Sequence, residues 1–191
     1  IDEKLIRGNV ISSENYSIAM NQKGEGVSIY NNKLINRFKN TEDYSQGIFF
    51  DIKDIRTKEI WGSNYTESNK YQISFMPDKI EQEMINRNIK TKIETIIAPD
   101  EPVEIRKVTL ENLGNEEEIL EITSYFEPVL SSKEQDYAHP AFNNLFLLFD
   151  YENETNSIVV RRRKRNENEQ EIYMGANLYT NSETIGDLEY E

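Results

Sequence analysis

The strongest constraint on the fold of this chain is a repeated alternation of apolar and polar side chains with a period of two. The segment Ile89–Ile97 shows it most clearly, because isoleucine or threonine occupies every second position and charged residues occupy most of the others. Successive side chains of a β-strand point to opposite faces, so this pattern is typical of a strand with one buried and one hydrated face. Such strands form antiparallel sheets that face water on one side. We therefore predict an all-β fold.

Residues 89–126 are predicted to form a three-stranded antiparallel meander. The alternation shifts by one residue at Lys107 and Val108, which predicts a β-bulge. A hairpin turn is predicted at residues 112–115, with Gly114 available for positive φ. Residues 80–89 also fit helical spacing, although a strand is favoured there. The other predicted strands are residues 16–20, 27–30, 34–38, 47–53, 57–61, 71–76, 80–86, 145–151, 157–163 and 171–175.

Short strands at intervals of about ten residues, without helix-length insertions, indicate a two-sheet antiparallel sandwich with little helix. A length of 191 residues suits one such domain, so we predict a single domain over residues 1–191. We also expect it to be a fragment of a longer chain, because it opens without methionine. Residues 128–144 are predicted to be a loop, and long loops on rigid β scaffolds often carry function.

The composition excludes several kinds of site. The chain has no cysteine and one histidine, His139, so it cannot build a disulfide scaffold, a thiolate metal site or a multi-histidine metal centre. We therefore predict no metal and no cofactor. Its 35 acidic residues outnumber 22 basic ones, giving a net charge of −13, and such a surface repels phosphate backbones and anionic lipids. Nucleic acid is not expected as a partner, nor is a membrane for this segment. The location stays unknown from the sequence, with the cytoplasm favoured.

Four residues are candidates for carbohydrate binding: Trp61, Tyr125, Glu127 and His139. Glu127 ends the strand that contains Tyr125. Glycoside hydrolysis needs two carboxylates, but no second one is singled out, and an acidic side chain at a strand end is usually solvated. Trp61 could stack on a pyranose ring or belong to the core. His139 could hydrogen-bond a sugar hydroxyl or act as a base, or it could only anchor its loop. No nucleophile motif or phosphate-binding loop is present, so no catalytic residue is assigned.

A run of basic residues at positions 161–165 stands out in this acidic chain. It could bind an anion, phosphate or an acidic partner surface. It also continues a predicted strand and precedes a stretch that contains Glu167 and Glu169. The favoured interpretation is therefore a strand end and turn whose opposite charges neutralise each other, or an edge protected by charge.

Seven short segments, in order from about residue 10 to the end, match a known family pattern: residues 15–18, 24–26, 59–61, 99–109, 120–127, 139–146 and 186–191. Through these segments the chain resembles the N-terminal β-supersandwich domain of glycoside hydrolase family 94, formerly glycosyltransferase family 36. The likeness is greatest to the branch of cyclic β-1,2-glucan synthases and β-1,2-oligoglucan phosphorylases.

The resemblance implies two large antiparallel sheets packed as a supersandwich, similar to galactose mutarotase. It also implies an absent part, because the catalytic acid and phosphate site of this family lie in a following (α/α)6 barrel that nothing here matches. Residues 86–88 and 132–135 depart from the family pattern, the first by lacking a glycine and the second by being more polar.

Three functions follow from these observations. The chain could be a non-catalytic accessory domain that helps to shape a β-glucan site and packs on the helical barrel or in a homodimer. It could instead be an autonomous sugar-active enzyme of the mutarotase or sandwich-glycosidase kind, although one histidine makes a poor acid–base set. It could also be a purely structural dimerisation module. The accessory domain of a glycoside phosphorylase or glycosyltransferase is favoured, with the fragment itself non-catalytic.

Overall fold

The computed structural model describes residues 7–38, 47–64, 70–180 and 189. They consist mainly of antiparallel β-strands with two short helices, so the all-β prediction is confirmed. The chain divides into two compact units, Ile1–Glu127 and Pro128–Glu191. The single domain expected over residues 1–191 stays a prediction. The last phrase of the family resemblance, residues 186–191, lies outside the described residues except for Glu189.

Eleven strands are described in the first unit. Their bounds are β1 Gly8–Ser12, β2 Tyr16–Asn21, β3 Gly26–Tyr30, β4 Lys33–Asn36, β5 Phe49–Asp54, β6 Ile60–Gly62, β7 Lys70–Phe75, β8 Lys79–Asn86, β9 Ile89–Ile97, β10 Glu104–Asn112 and β11 Leu120–Tyr125. Within this unit they pair in the orders β1-β2-β3-β4, β10-β9-β8-β7 and β11-β5-β6, all antiparallel. The segment 80–86, for which a helix was the alternative, is strand β8.

Strand β9 has the two faces that the alternation predicts. Its side chains from Ile89 to Thr95 are buried at every second position. On the opposite face Lys92 forms ion pairs with Glu81 at 3.0 Å and Glu94 at 3.7 Å. The Nζ atom of Lys79 lies 3.0 Å from a carboxylate oxygen of each of the same two glutamates. The sheet therefore has one apolar face and one face covered by cross-strand charge pairs.

The apolar face of that sheet packs against strand β5. Phe50 forms a buried cluster with Met84 and Ile93, and Ile52 forms a second cluster with Trp61 and Ile89. Alternate residues of one strand thus contact both neighbouring strands of the facing sheet, which is how a two-layer β-sandwich fills its core.

A polar cluster joins the β1–β4 sheet to β10. Oε2 of Glu104 accepts hydrogen bonds from the hydroxyl of Tyr16 at 3.0 Å and from Oγ of Ser28 at 2.5 Å. Its other oxygen accepts from Nε of Arg106 at 2.5 Å. Arg106 also donates to the backbone carbonyl of Ile48 at 2.5 Å. Every charge in this buried cluster therefore has a partner, as burial demands.

The second unit contains four strands and both helices. Their bounds are β12 Pro128–Ser131, α1 Lys133–Ala138, α2 Pro140–Asn144, β13 Leu147–Glu152, β14 Ser157–Arg162 and β15 Ile172–Asn177. Strands β13, β14 and β15 form a three-stranded antiparallel sheet in chain order. Asn143 and Asp136 are buried in the helical pair, where the Asn143 amide donates to Val129 O at 3.2 Å and Asp136 Oδ1 at 3.4 Å.

The predicted meander is wrong in its third strand. β9 and β10 pair as expected, but β11 pairs with β5 in another sheet. The bulge predicted at Lys107 and Val108 is also wrong, because β10 keeps a continuous register with β9 from Glu104 to Asn112. Ile105 simply faces outward. Gly114 does not adopt positive φ, since the chain there leads into a different sheet and does not close a hairpin.

The loop predicted at residues 128–144 is wrong as well, because it contains β12 and both helices. Ser132 caps α1 by accepting from the Gln135 backbone N–H at 3.4 Å, and Pro140 occupies the first turn of α2. A serine followed three residues later by glutamine, and a proline at a helix start, are sequence signals for such helices. The loop prediction did not take either signal into account.

The glycine loop between β2 and β3 is a hairpin connection. Gly24 has φ of +82°, and a Cβ atom there would lie 2.4 Å from the Gln82 amide nitrogen and 2.9 Å from the Tyr71 hydroxyl. Glycine is required at this position both by the backbone conformation and by the close approach of these side chains.

Candidate functional site

Two aromatic rings lie side by side at the end of the β11–β5 pair. Tyr125 and Phe49 are directly opposite each other in the antiparallel register, and their ring centroids are 5.2 Å apart at an interplanar angle of 40°. Tyr125 is 48% exposed. The pair therefore offers an aromatic surface that a flat apolar ring face could contact.

A carboxylate and a guanidinium lie beside this aromatic pair. Glu127 accepts a hydrogen bond from the Tyr125 hydroxyl at 3.3 Å and forms an ion pair with Arg37 at 2.6 Å. The backbone joins the same residues, because the Arg37 N–H donates to the Glu127 carbonyl at 2.8 Å. The Arg37 side chain is 13% exposed and that of Glu127 is 49% exposed. Arg37 thus anchors a carboxylate that remains open to solvent.

We call Arg37, Phe49, Tyr125 and Glu127 the Tyr125 cluster. Partial burial raises the pKa of the Tyr125 phenol, and the nearby Glu127 carboxylate raises it further. The phenol is therefore a hydrogen-bond donor at neutral pH. The cluster combines an aromatic face, an accepting carboxylate and donors, which is the chemistry that recognises a sugar ring and its hydroxyl groups.

This geometry differs from that of a glycosidase acid–base pair. Such a pair is two carboxyl groups on either side of the scissile bond. The groups that hydrogen-bond Glu127 are a phenol and a guanidinium. The cluster is therefore suited to binding, and its four residues include one carboxylate, that of Glu127.

Trp61 lies apart from the Tyr125 cluster, in the core of the first unit. It is 8% exposed and packs with Ile52 and Ile89. The cavity beside it, lined also by Asp54, Arg87 and Glu118, has a volume of about 20 Å³. That volume holds about one water molecule and no sugar ring. The position favours the core role that was the alternative for this residue, and its carbohydrate role stays a prediction.

His139 lies in the second unit, at the junction of the two helices. Its backbone N–H donates to the Gln135 carbonyl at 3.4 Å, and its carbonyl accepts from the Asn143 N–H at 3.0 Å. The side chain is exposed and forms no capping hydrogen bond. The backbone of His139 therefore links α1 to α2, and a sugar contact by its imidazole stays a prediction.

Sequence reasoning found Tyr125 and Glu127 and missed Arg37 and Phe49. Tyr125 and Glu127 are two positions apart at a strand end, so a local pattern could bring them together. Phe49 joins them only through the pairing of β11 with β5, and Arg37 only through its contacts with Glu127. The sequence signal available for Arg37 was a basic residue near the end of a predicted strand, with Lys39 close by.

Asp54 is held at the cavity by unusually many donors. Its Oδ1 accepts from the backbone N–H groups of Arg56 at 2.8 Å and Thr57 at 3.0 Å, and its Oδ2 accepts from Arg87 at 2.9 Å. The hydrogen bonds from Thr57, with those from Arg56 and Arg87, lower the pKa of Asp54 to about 2. These bonds favour the ionised carboxylate in the folded state.

We predict that Asp54 makes stability fall in acid. Because the folded pKa of about 2 lies below the unfolded value of about 3.9, its contribution is complete above about pH 4 and is lost as the pH falls towards 2. The free energy of unfolding, measured against pH for the wild type and Asp54→Asn, should differ most near neutral pH and converge in that window. A constant difference from pH 7 to pH 2 would contradict the assignment.

No group of three or more acidic or histidine side chains in ranges 7–38, 47–64, 70–180 and at 189 is placed to hold a metal ion. In the same described part of the chain, neither helix has the length or apolar character needed to cross a membrane.

Comparison with known proteins gives two findings. The family model described as "Glycosyl hydrolase 94, supersandwich domain" matches residues 3–190. A curated relative from Rhizobium meliloti (strain 1021), "Cyclic beta-(1,2)-glucan synthase NdvB", is 29% identical over 169 residues. This alignment covers 85% of the present chain and 6% of the relative. The chain therefore spans a small fraction of the length of that protein.

Proposed function

We propose that this chain is a non-catalytic accessory domain for a β-glucan-active enzyme. The starting point is its family, because the chain belongs to the supersandwich domain family of glycosyl hydrolase 94. The membership agrees with the resemblance identified from the sequence. The relative that is named a glucan synthase is much longer than this chain, which supports the role of one module within a larger protein. The parent activity that we propose is a glycoside phosphorylase or glycosyltransferase.

The observation that carries the proposal is the Tyr125 cluster. A glucan presents flat sugar faces edged by hydroxyl groups. The exposed ring of Tyr125 can receive a sugar face, while Glu127 can accept hydrogen bonds from hydroxyl groups and Arg37 holds the carboxylate in place. One open wall with few convergent polar groups buries little of a ligand, so the contact is weak by itself.

The partners that we propose are a β-glucan or gluco-oligosaccharide, a helical (α/α)6 barrel and a second copy of the chain. The outer face of the β7–β10 sheet offers a surface for protein packing, because Ile105 and Ile96 are cross-strand neighbours there and are 46% and 36% exposed. The rest of this sheet face carries pairs of charged side chains. Exposed apolar side chains grouped on such a face often mark a contact with another protein.

Glucan affinity and its dependence on Tyr125 test the proposed surface. We expect the chain to bind β-1,2-gluco-oligosaccharides with Kd of about 1 mM or weaker, measured by saturation-transfer difference NMR. Tyr125→Ala should weaken binding about two- to tenfold, the range expected for a lost ring contact. The matched control is Tyr179→Ala, because Tyr179 is 84% exposed in the other unit and should leave the affinity unchanged. Equal affinities for wild type and Tyr125→Ala would contradict the proposal.

The non-catalytic role has its own test. We expect no release of reducing sugar or sugar phosphate when the purified chain is incubated with β-glucan and phosphate. The reason is that the Tyr125 cluster provides one carboxylate where the reaction needs two. Turnover that is abolished by Glu127→Gln would show that the chain is an autonomous enzyme.

A further inference from the structure

Arg162 is buried without a hydrogen-bond acceptor. It is the last residue of β14 and is 4% exposed. Its Nε, Nη1 and Nη2 atoms are all buried, and none has a partner among the described residues. Guanidinium groups are almost never fully buried unless they are paired, because removing the charge from water is costly. This side chain therefore lacks a partner that its position requires.

The surroundings of Arg162 compensate for only part of that cost. In the β13–β14–β15 register its neighbours are Leu147 and Ile172, both apolar. The Glu169 carboxylate acts on the charge without hydrogen-bonding it, and the ring of Phe146 has its centroid 5.1 Å from the guanidinium carbon. A cation–π contact attracts the charge but accepts none of its N–H donors in the way an oxygen does.

A second guanidinium contacts the same ring. The guanidinium carbon of Arg165 is 4.9 Å from the Phe146 centroid and 5.7 Å from that of Phe142. Arg165 is exposed, and within the described ranges its guanidinium makes ring contacts without a hydrogen bond. The carboxylate nearest in sequence, Glu169, accepts from the backbone N–H of Arg165 at 2.7 Å. It closes the turn and does not pair with either guanidinium.

The other arginines of the basic run are partnered. Arg161 faces the carboxylate of Asp150 at 3.6 Å, and Arg163 donates to the carbonyl of Leu145 at 2.7 Å. Burial and the charge of Arg165 lower the pKa of Arg162, and the Glu169 carboxylate offsets only part of that shift. The run is therefore not neutralised uniformly, and the two arginines on Phe146 differ from their neighbours.

We propose that Arg162 and Arg165 form a binding site for a phosphate-class oxyanion beside the Phe146 ring. Two guanidinium groups present ten N–H donors and two positive charges. A phosphate carries about −1.5 to −2 charges at pH 7 and several acceptor oxygens, so one anion can balance both positive charges and accept from some of their donors, whereas a carboxylate brings one charge. Arg165, exposed and held by ring contacts, is the group that an arriving anion meets first. This site is independent of the proposed glucan surface.

The source of the phosphate group is distinguished by two probes, inorganic phosphate and the monoester glycerol phosphate. Binding is measured by calorimetry and by the shift in Tm, against sodium chloride of matched ionic strength. We expect saturable binding of phosphate to the wild type. Tighter binding of the monoester would assign the site to phosphorylated metabolites, and tighter binding of inorganic phosphate would assign it to the free ion. An equal response to acetate would contradict the phosphate-class assignment.

Variants separate the site from general charge. Arg162→Met and Arg165→Gln should each weaken phosphate binding at least about tenfold, as expected for loss of charge-assisted hydrogen bonds. Arg161→Gln removes one charge from the adjacent position and should change the affinity less than about twofold. Arg162→Met should also raise Tm in phosphate-free buffer, because it replaces an unpaired buried charge by an apolar side chain.

Two results would overturn the proposal. The first is a wild type that shows no response to either phosphate probe beyond that to chloride. The second is equal phosphate binding by the wild type, Arg162→Met and Arg165→Gln. Because Arg165 is exposed, its variant gives a readable result even where Arg162→Met alters the fold.

Discussion

Replacing Glu104 by alanine is expected to destabilise the chain by about 3–5 kcal/mol, the range found when one partner of a buried ion pair is removed. The side chains of Glu104 and Arg106 are each 8% exposed. The substitution would leave Arg106 with the Ile48 carbonyl alone, and the hydroxyls of Tyr16 and Ser28 would lose their acceptor. Burial, with Glu104 beside it, raises the pKa of Tyr16, so its phenol cannot ionise to relieve the loss at neutral pH.

Urea unfolding followed by circular dichroism measures this effect, with the m-value as a check that the unfolded state is unchanged. Glu104→Gln retains an acceptor oxygen and should cost less, about 1–2 kcal/mol. Glu111→Ala is the matched control, because Glu111 is exposed on the same strand and should change stability by less than about 0.5 kcal/mol. A loss below about 1 kcal/mol for Glu104→Ala would show that the cluster does not hold the sheets together.

Phe50→Ala should also cost about 3–5 kcal/mol, through lost burial and the cavity left behind. Phe50 is 6% exposed and packs between β8 and β9 with Met84 and Ile93. Its neighbour Phe49 lies on the other face of β5 and contacts Tyr125. Phe49→Ala removes a ring of the same size but loses mainly one aromatic contact, about 0.5–1.5 kcal/mol.

Thermal unfolding of the two phenylalanine variants tests which face of β5 is the core face. The loss in Tm should be clearly larger for Phe50→Ala. Phe49→Ala should remain folded, so that its effect on glucan binding can be measured. Equal losses would mean that β5 is buried on both faces, and the Tyr125 cluster would then be part of the core.

Local patterns predicted most of the strands and the pairing of β9 with β10, but not the partner of β11. The alternation in Ile89–Ile97 shows which residues are buried, because successive side chains of a strand point to opposite faces and only one face of this strand is covered. The pairing of Leu120 with Asp54 depends on contacts between distant segments, so the nearest strand in sequence was the wrong choice. The helices at residues 133–144 were missed because five or six residues are too few to show a 3.6-residue period.

The candidate site shows the same division. Tyr125 and Glu127 share one strand end, and their proximity could be inferred. The burial of Trp61 and the pairing of Phe49 with Tyr125 follow from the packing of β5 between β6 and β11. Arg162 was visible only as part of a basic run. Its burial follows from its place on the apolar face of β14, which became clear once the register with Leu147 and Ile172 was known.

The central claim is that this domain contacts glucan weakly through the Tyr125 cluster. Its most direct test is the mapping of backbone amide chemical shifts while β-1,2-gluco-oligosaccharide is added to the chain. We predict shift changes concentrated at Arg37, Phe49, Tyr125 and Glu127, with a Kd of about 1 mM or weaker, and their loss in Tyr125→Ala. Micromolar binding elsewhere in the chain, or no shift changes at the highest soluble glucan concentration, would contradict the account.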